Sequence, residues 1–259
     1  MIYLGCSQWN YSFWKGEMYP QGTKPLDYIG YYSKEFNCVE LNSTYYDEVE
    51  PYTILRWKQS VSPAFRFCPK FPKLISHDRY LKNIQQPTDE FINLVKLFEE
   101  NLGISYVQLA PSMFRTNIYL LEEFLEYVNN KINVSIEIRP DWLSRPPLLS
   151  QCLEILKKYH AGVVIVDGAE TVKYLNSIKL TNSSAFIRFL SYNHPTDFER
   201  INDWVNMIKF WQDKGIREAY FILHFVDGVS EPPIVNYTLE KFEKELGLKT
   251  EDLKEPKLF

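Results

Sequence analysis

Several short apolar runs in this chain each end in a single ionisable or amide side chain: the stretch from Cys38 to Tyr46 opens as a short apolar run, carries Glu40 and Asn42 on one face and continues to Tyr45, and similar runs end at Lys70, Gln108, Glu137 with Arg139, Asp167, Arg188 and His224. A parallel strand delivers polar groups to a site in this way, apolar along its length and functional at its carboxyl end. Glu40 and Glu137, on separate strands, have the chemistry of a general acid and base, and Lys70 could tune either or form a Schiff base if desolvated. Arg139 and Arg188 suit a clamp on a carboxylate or phosphate. Asn42 and Gln108 add amide hydrogen bonds, and Trp9 and Tyr45 add aromatic surface, completing a substrate-binding set with Asp167 and His224. The competing expectation is structural, with Glu40–Lys70 and Glu137–Arg188 as ion pairs plugging the end of a barrel. A divalent metal held by Glu137, Asp167 and His224 is a further alternative, against which Lys70, Arg139 and Arg188 compete for the carboxylates. No other cofactor is expected.

The elements that must position these groups alternate strand and helix. Strands are predicted near residues 2–6, 36–42, 65–70, 104–109, 134–139, 162–167, 185–189 and 219–225. Between them, helices are predicted over 25–34, from Pro51, and over 88–100 (capped by Thr88), 119–129, 148–159, 170–177, 197–214 and 235–246. Short apolar runs without strict alternation, separated by amphipathic helices, imply a parallel sheet covered outside by helices. Eight such units predict a single-domain TIM-type (β/α)8 barrel, whose strands all end on the rim where this fold builds its sites. An open doubly wound sheet is the alternative, but no Gly-rich phosphate turn follows the first strand. The excursions over 7–22 and 71–87 both follow strands and are expected to cover the mouth, with Trp9, Trp14 or Phe71 turned toward a ligand. His77 and His194 read as loop histidines, and His160 falls on the amino-terminal rim.

Composition narrows the partners. A chain of 259 residues with 45% hydrophobic content can bury a large core, and a net charge of -4 creates no field that would gather nucleic acid or an anionic membrane. A modest basic cluster, Lys73, His77, Arg79 and Lys82, keeps nucleic acid as a secondary alternative. The expected partner is a small anionic molecule, acted on by an enzyme or held by a binding module. Cys6, Cys38, Cys68 and Cys152 are too widely spaced for a zinc knuckle or a disulfide scaffold, and no run is long enough to span a membrane. A cytoplasmic location is the expectation that follows.

Once the motifs are assembled, a family pattern emerges. Gly5-Cys6-Ser7-Gln8-Trp9, Tyr19-Pro20, Val39-Glu40-Leu41-Asn42-Ser43-Thr44-Tyr45-Tyr46, Phe67-Cys68-Pro69-Lys70, Gln108-Leu109-Ala110-Pro111-Ser112 and Glu137-Ile138-Arg139 together resemble the YecE-like family, catalogued as domain of unknown function 72. The resemblance implies a TIM-type barrel over nearly the whole chain and supplies no activity. Pro140 stands where that family usually has His, and His224-Phe225 where it usually has Asn-Asn.

Overall fold

Eight parallel strands follow one another around a ring: β1 (Ile2–Cys6), β2 (Cys38–Leu41), β3 (Arg66–Pro69), β4 (Ser105–Gln108), β5 (Val134–Glu137), β6 (Gly162–Asp167), β7 (Ser184–Ser191) and β8 (Glu218–Phe225). The structure, a computed structural model, describes residues 1–11, 14–46, 48–111, 118–169, 179–226 and 232–248. The expected helix over 170–177, and Ser112, Met113 and Phe114 of the turn after β4, lie outside the described residues. Every ladder is parallel, and the order β3-β2-β1-β8-β7-β6-β5-β4 runs around the ring. Single bridges, Phe67 to Leu102 and Lys70 to Tyr106, join its two ends. The fold is therefore the expected TIM-type barrel, nearly closed.

Side-chain direction in each strand alternates, so two cores form. Outward residues such as Val39, Phe67, Val107, Ile136, Ile165, Ile187 and Leu223 pack beneath the helices. Inward residues Tyr3, Cys38, Cys68, Ile104, Tyr106, Val164, Phe186, Tyr220 and Ile222 fill the barrel. The inward filling is a stack of rings, with Tyr3 against Tyr220 at 4.4 Å, Phe186 against Tyr220 at 5.9 Å and Tyr106 against Phe186 at 5.4 Å between centroids. It closes the barrel as a packed interior and leaves the next layer, toward the carboxyl ends, for polar groups. At Gly5 a Cβ would stand 2.0 Å from the carbonyl oxygen of Cys38, so the β1–β2 approach admits only glycine there.

The helices read as amphipathic stripes. α5 (Ile118–Val128) buries Leu120, Leu121, Phe124, Leu125 and Val128, one face of a 3.6-residue period, and α8 (Thr196–Asp213) buries Ile201, Trp204, Val205 and Ile208. Each fully buried side chain of this size stabilises by roughly 1.5–3 kcal/mol. The first helix is shorter than expected, a 3-10 turn at Pro25–Asp27 leading into α1 (Tyr28–Tyr32). Its Tyr32 hydroxyl accepts from the Cys6 amide at 2.7 Å and donates to the Cys38 carbonyl at 2.8 Å, tying β1 to β2. Two brief helical turns, α2 (Ser43–Tyr46) and α6 (Pro140–Leu143), sit directly after β2 and β5, while α3 (Pro51–Gln59) starts on Pro51 as expected and α7 (Pro146–Lys158) starts on Pro146, two residues before the expected 148. α4 (Gln85–Val95) begins before Pro87 and not at a Thr88 cap, because a proline in the first turn removes an N–H that has no helical partner anyway. Its continuation, Lys96–Asn101, is 3-10. α9 (Pro232–Leu246) closes the described chain.

Among the described residues no helix is long and apolar enough to cross a membrane. All four cysteines are unbonded and buried, and burial pushes the Cys152 thiol up to about 12, so they behave as small apolar side chains.

Candidate functional site

The inward parity of the barrel carries Glu40, Lys70, Gln108, Glu137, Arg139, Arg188 and His224 to one layer at the carboxyl ends of the strands, above the aromatic stack. Arg188 is its centre. Its Nε donates to Glu40 Oε2 at 2.9 Å and its Nη2 to Glu40 Oε1 at 3.1 Å, while its Nη1 donates to Glu137 Oε2. The Tyr106 ring lies beneath the guanidinium at 5.4 Å. The Asn42 amide donates to Glu40 Oε1 at 2.8 Å and to the Ser7 carbonyl at 3.0 Å, and its oxygen accepts from the Tyr106 hydroxyl at 3.2 Å. His224 Nε2 stands 3.1 Å from Glu40 Oε2 and 3.2 Å from Arg188 Nε, so that atom either donates to the carboxylate or accepts from the guanidinium.

Gln108 links this centre to Lys70: its amide nitrogen donates to Glu137 Oε1 at 2.5 Å, and its oxygen accepts from Lys70 Nζ at 3.0 Å. Lys70 Nζ lies 4.0 Å from the centroid of Tyr45 and 5.8 Å from that of Tyr106. The expected Glu40–Lys70 ion pair is therefore absent, because the planar fork of Arg188 fits both carboxylates and leaves Lys70 with a neutral amide. The expected Glu137–Arg188 pair is present. Arg139 is held more loosely, its Nη1 3.6 Å from Glu137 Oε1 and its buried Nε without a hydrogen-bond partner among the described residues.

Burial and charge set the protonation states. Burial alone would raise the pKa of Glu40, which is 0% exposed, but Arg188 outweighs it and holds the carboxyl well below the usual range. Glu137 is also lowered, with Arg188 and the Gln108 hydrogen bond overcoming its burial. Both are fixed anions at neutral pH. Burial lowers Lys70 and His224 despite the nearby carboxylates. Taking His224 as neutral and Lys70 as protonated, three cations face two anions, and the surplus positive charge falls on Lys70 and Arg139.

Two of the residues expected here lie elsewhere. Asp167 follows the inward Val164 and Val166 by an odd step and so points outward, where its Oδ2 accepts from Trp204 Nε1 at 2.7 Å and its Oδ1 lies 3.0 Å from Arg200 Nη2. That placement also removes the metal trio of Glu137, Asp167 and His224, and among the described residues no group of three His, Cys, Asp or Glu is placed to hold an ion. The Trp9 ring packs edge-on against Trp57 of α3 and Phe67 of β3, in the layer outside the barrel. Trp14 packs with Tyr11, Tyr32 and Phe36, and Phe71 with Phe91 and Phe124, so neither turns to the mouth. The Trp9 and Trp14 rings of the 7–22 excursion are thus folded down the outer wall, where apolar area is buried rather than left over an aqueous opening.

His77 was not among the expected site residues, yet the 71–87 excursion brings it in. A single π turn, Leu74–Asp78, sets its ring edge-on to Tyr45 at 5.6 Å, and its Nδ1 lies 2.8 Å from Ser76 Oγ. Burial and then the positive charges of Lys70 and Arg139 lower its pKa, which places it within their field. The only signal in the sequence is that His77 follows the strand ending in Lys70, because a loop has no period to fix direction.

Comparison with known proteins agrees with this architecture. A protein from Escherichia coli K12 named UPF0759 protein YecE is 26% identical over 265 residues, covering 95% of this chain and 94% of the relative. A DUF72 family protein from Thermotoga maritima superposes with a TM-score of 0.72 at 22% identity, covering 96% of this chain and all of the other (100%). A DUF72 family protein from Enterococcus faecalis gives 0.70 at 18% identity over 100% of both chains. A D-psicose 3-epimerase from Clostridium cellulolyticum shares the fold alone, at a TM-score of 0.54 and 9% identity over 95% of this chain and 98% of the other. The family model described as "Protein of unknown function DUF72" matches residues 3–257, nearly the whole chain, and the chain therefore belongs to the DUF72 family.

Proposed function

We propose that the barrel mouth binds a small metabolite bearing a carboxylate or phosphate between Lys70, Arg139 and His77, and acts on it by acid/base chemistry. One observation carries this reading: both carboxylates are engaged by Arg188, so the layer's surplus positive charge sits on Lys70, which among the described residues has only an amide as a hydrogen-bond partner, and on Arg139, which among them has one long ion pair. The anion clamp is then Arg139 with Lys70, and Arg188 is the frame behind it. The proton-transferring groups also change. Glu40 and Glu137, held ionised by Arg188, serve as fixed countercharges, whereas burial draws Lys70 down toward neutrality and, with the nearby cations, lowers His77 from its ordinary value, so that His77 is a neutral imidazole beside the amine.

The test is thermal unfolding with and without inorganic phosphate and a panel of small organic acids, for the wild type and for Arg139→Met. A ligand at about a hundred times its Kd should stabilise the native state by ~2.7 kcal/mol, and the shift should vanish in Arg139→Met while its unliganded Tm stays near that of the wild type. No shift of the wild type by any member of the panel would sink the reading. Turnover separates an enzyme from a binding module: loss of a ligand C–H signal by NMR in deuterated buffer, abolished in Lys70→Met, marks proton abstraction.

A further inference from the structure

Lys70 presents a feature that a purely structural lysine would not. A buried ammonium is normally stabilised by a carboxylate at hydrogen-bond distance. Here Lys70 is 6% exposed and makes no ion pair among the described residues, although two carboxylates lie in the same layer. Its one described hydrogen bond runs to Gln108 Oε1, and that amide cannot turn over, because its nitrogen is engaged by Glu137. Tyr45 and Tyr106 wall the amine with ring carbon. His77 stands across Tyr45 with Nδ1 on Ser76, and its Nε2 has no hydrogen-bond partner among the described residues. We infer that Lys70 is a carbonyl-reactive amine, and that the metabolite bound at the mouth is an aldehyde or ketone that also carries a carboxylate or phosphate, captured as an imine on Lys70 Nζ.

This rests on the anion site proposed above, with Arg139 receiving the anionic group. Burial lowers Lys70 from the ordinary lysine range, which raises the fraction of neutral, nucleophilic amine. The ammonium gives one proton to solvent, and its lone pair attacks the carbonyl carbon, forming the N–C bond as the C=O π electrons move to oxygen. One proton passes from nitrogen to that oxygen, giving a carbinolamine. Protonation of the hydroxyl then lets the C–O bond break, and the nitrogen lone pair closes the C=N bond. Ammonium and carbonyl become iminium and water, with no change of oxidation state. His77 is the positioned group for the proton that the departing hydroxyl needs. Gln108, a neutral acceptor, tolerates ammonium and iminium alike because each presents an N–H to its oxygen.

The experiment is reductive trapping on the intact protein: glyoxylate as probe, sodium cyanoborohydride as reductant, and peptide mapping of each lysine with time. Lys70 should be modified faster than the surface lysines, because burial leaves more of its amine neutral and the anion site holds glyoxylate beside it. Inorganic phosphate should slow the reaction of Lys70 with glyoxylate alone, and propionaldehyde, which lacks the anionic group, should show a smaller preference for Lys70 than glyoxylate does. Lys70→Arg, which keeps the cation, should lose the fast phase while unfolding at the wild-type temperature. Modification of Lys70 no faster than of surface lysines overturns the imine. If phosphate still raises the wild-type Tm in that case, the anion site stands without it. Fast trapping at Lys70 that phosphate does not slow supports the imine and removes the anion site.

Discussion

Arg188 and Arg139 both reach the mouth, but their surroundings predict opposite responses to the same substitution. Replacing Arg188 by Met leaves Glu40 buried beside neutral partners and Glu137 with only its 3.6 Å contact to Arg139, and removing one partner of a buried pair costs about 3–5 kcal/mol. Urea unfolding should show that loss, and a loss below about 1 kcal/mol would mean that Arg188 is not the frame. Arg139→Met should stay within about 1 kcal/mol of the wild type, since its side chain is 29% exposed and makes one ion pair at 3.6 Å. His224 carries a pH prediction. Its neighbours are Glu40, Glu137 and Arg188, and burial holds it below the ordinary 6.5. As pH falls below 6.5 the unfolded chain takes a proton that the folded site refuses, so stability declines through that window. His77, lowered in the same way, adds to the decline. Below the ordinary 4.5 of a carboxyl group the effect continues for a different reason: Glu40 and Glu137 are depressed, and the stability of their ion pairs, full above 4.5, is lost as pH drops toward their folded pKa values. His224→Asn, which keeps an amide donor for Glu40, should flatten the decline between 6.5 and the acid limb and leave the acid limb in place. Equal slopes in the two proteins, by unfolding midpoints across pH, would contradict the assignment.

At the scale of the element, strand parity decides what a polar residue does. Glu40, Lys70, Gln108, Glu137, Arg188 and His224 each lie two residues beyond an inward side chain (Cys38, Cys68, Tyr106, Ser135, Phe186 and Ile222), and all of them face the barrel axis. Asp167 lies one residue beyond the inward Val166, so it faces α8 and joins Arg200, Trp204 and Asp197 in a buried network. That rule was legible in the sequence, as was the barrel, because alternation of buried strand and amphipathic helix is written in residue type and spacing. What was not legible lies past the strand ends. Whether Trp9 turns over the mouth or down the wall depends on Trp57 and Phe67, which are distant in the chain, and His77 is brought in by a loop without periodicity. The pairing of charges was legible in part: the Glu137–Arg188 pair was expected and is present, but three cations competed for two carboxylates and only distance shows that Arg188 also takes Glu40 in place of Lys70. Asp167→Asn supplies the contrast between network and site. It should lower stability by roughly 1–3 kcal/mol, as a buried charged hydrogen bond is weakened while Asp197 still holds Arg200, and leave the phosphate-dependent rise in Tm unchanged. Loss of that rise would put Asp167 back in the site.

For the whole molecule, the ring is only as closed as its weakest seam. Strands β7 and β8 are laddered over eight residue pairs, Ser184 with Glu218 through Ser191 with Phe225. The junction of β3 and β4 rests on single bridges, with Gly103 N donating to the Phe67 carbonyl at 2.7 Å and Phe71 N to that of Tyr106 at 2.9 Å. Gly103 sits where a Cβ would lie 2.9 Å from Cys68 Sγ and 3.0 Å from the Phe67 oxygen, so the seam closes by close backbone approach rather than by a long ladder. The seam also borders the proposed anion site. Lys70 stands at its mouth end, its backbone bridged to Tyr106, and its side chain reaches across to Gln108 of β4. Local opening tracks the number and burial of the hydrogen bonds that must break, so this junction should open well below the global unfolding free energy. Native-state hydrogen exchange should therefore show the Gly103 and Phe71 amides exchanging through a lower-energy opening than the inner amides of β7 and β8. A small anion bound by Lys70 and Arg139 joins β3 to β5 across β4, and so should slow the seam amides preferentially. If the seam amides are as protected as those of β7–β8 without ligand, closure is not the weak point. If phosphate protects all strands equally, binding stabilises the fold globally and does not bridge the seam.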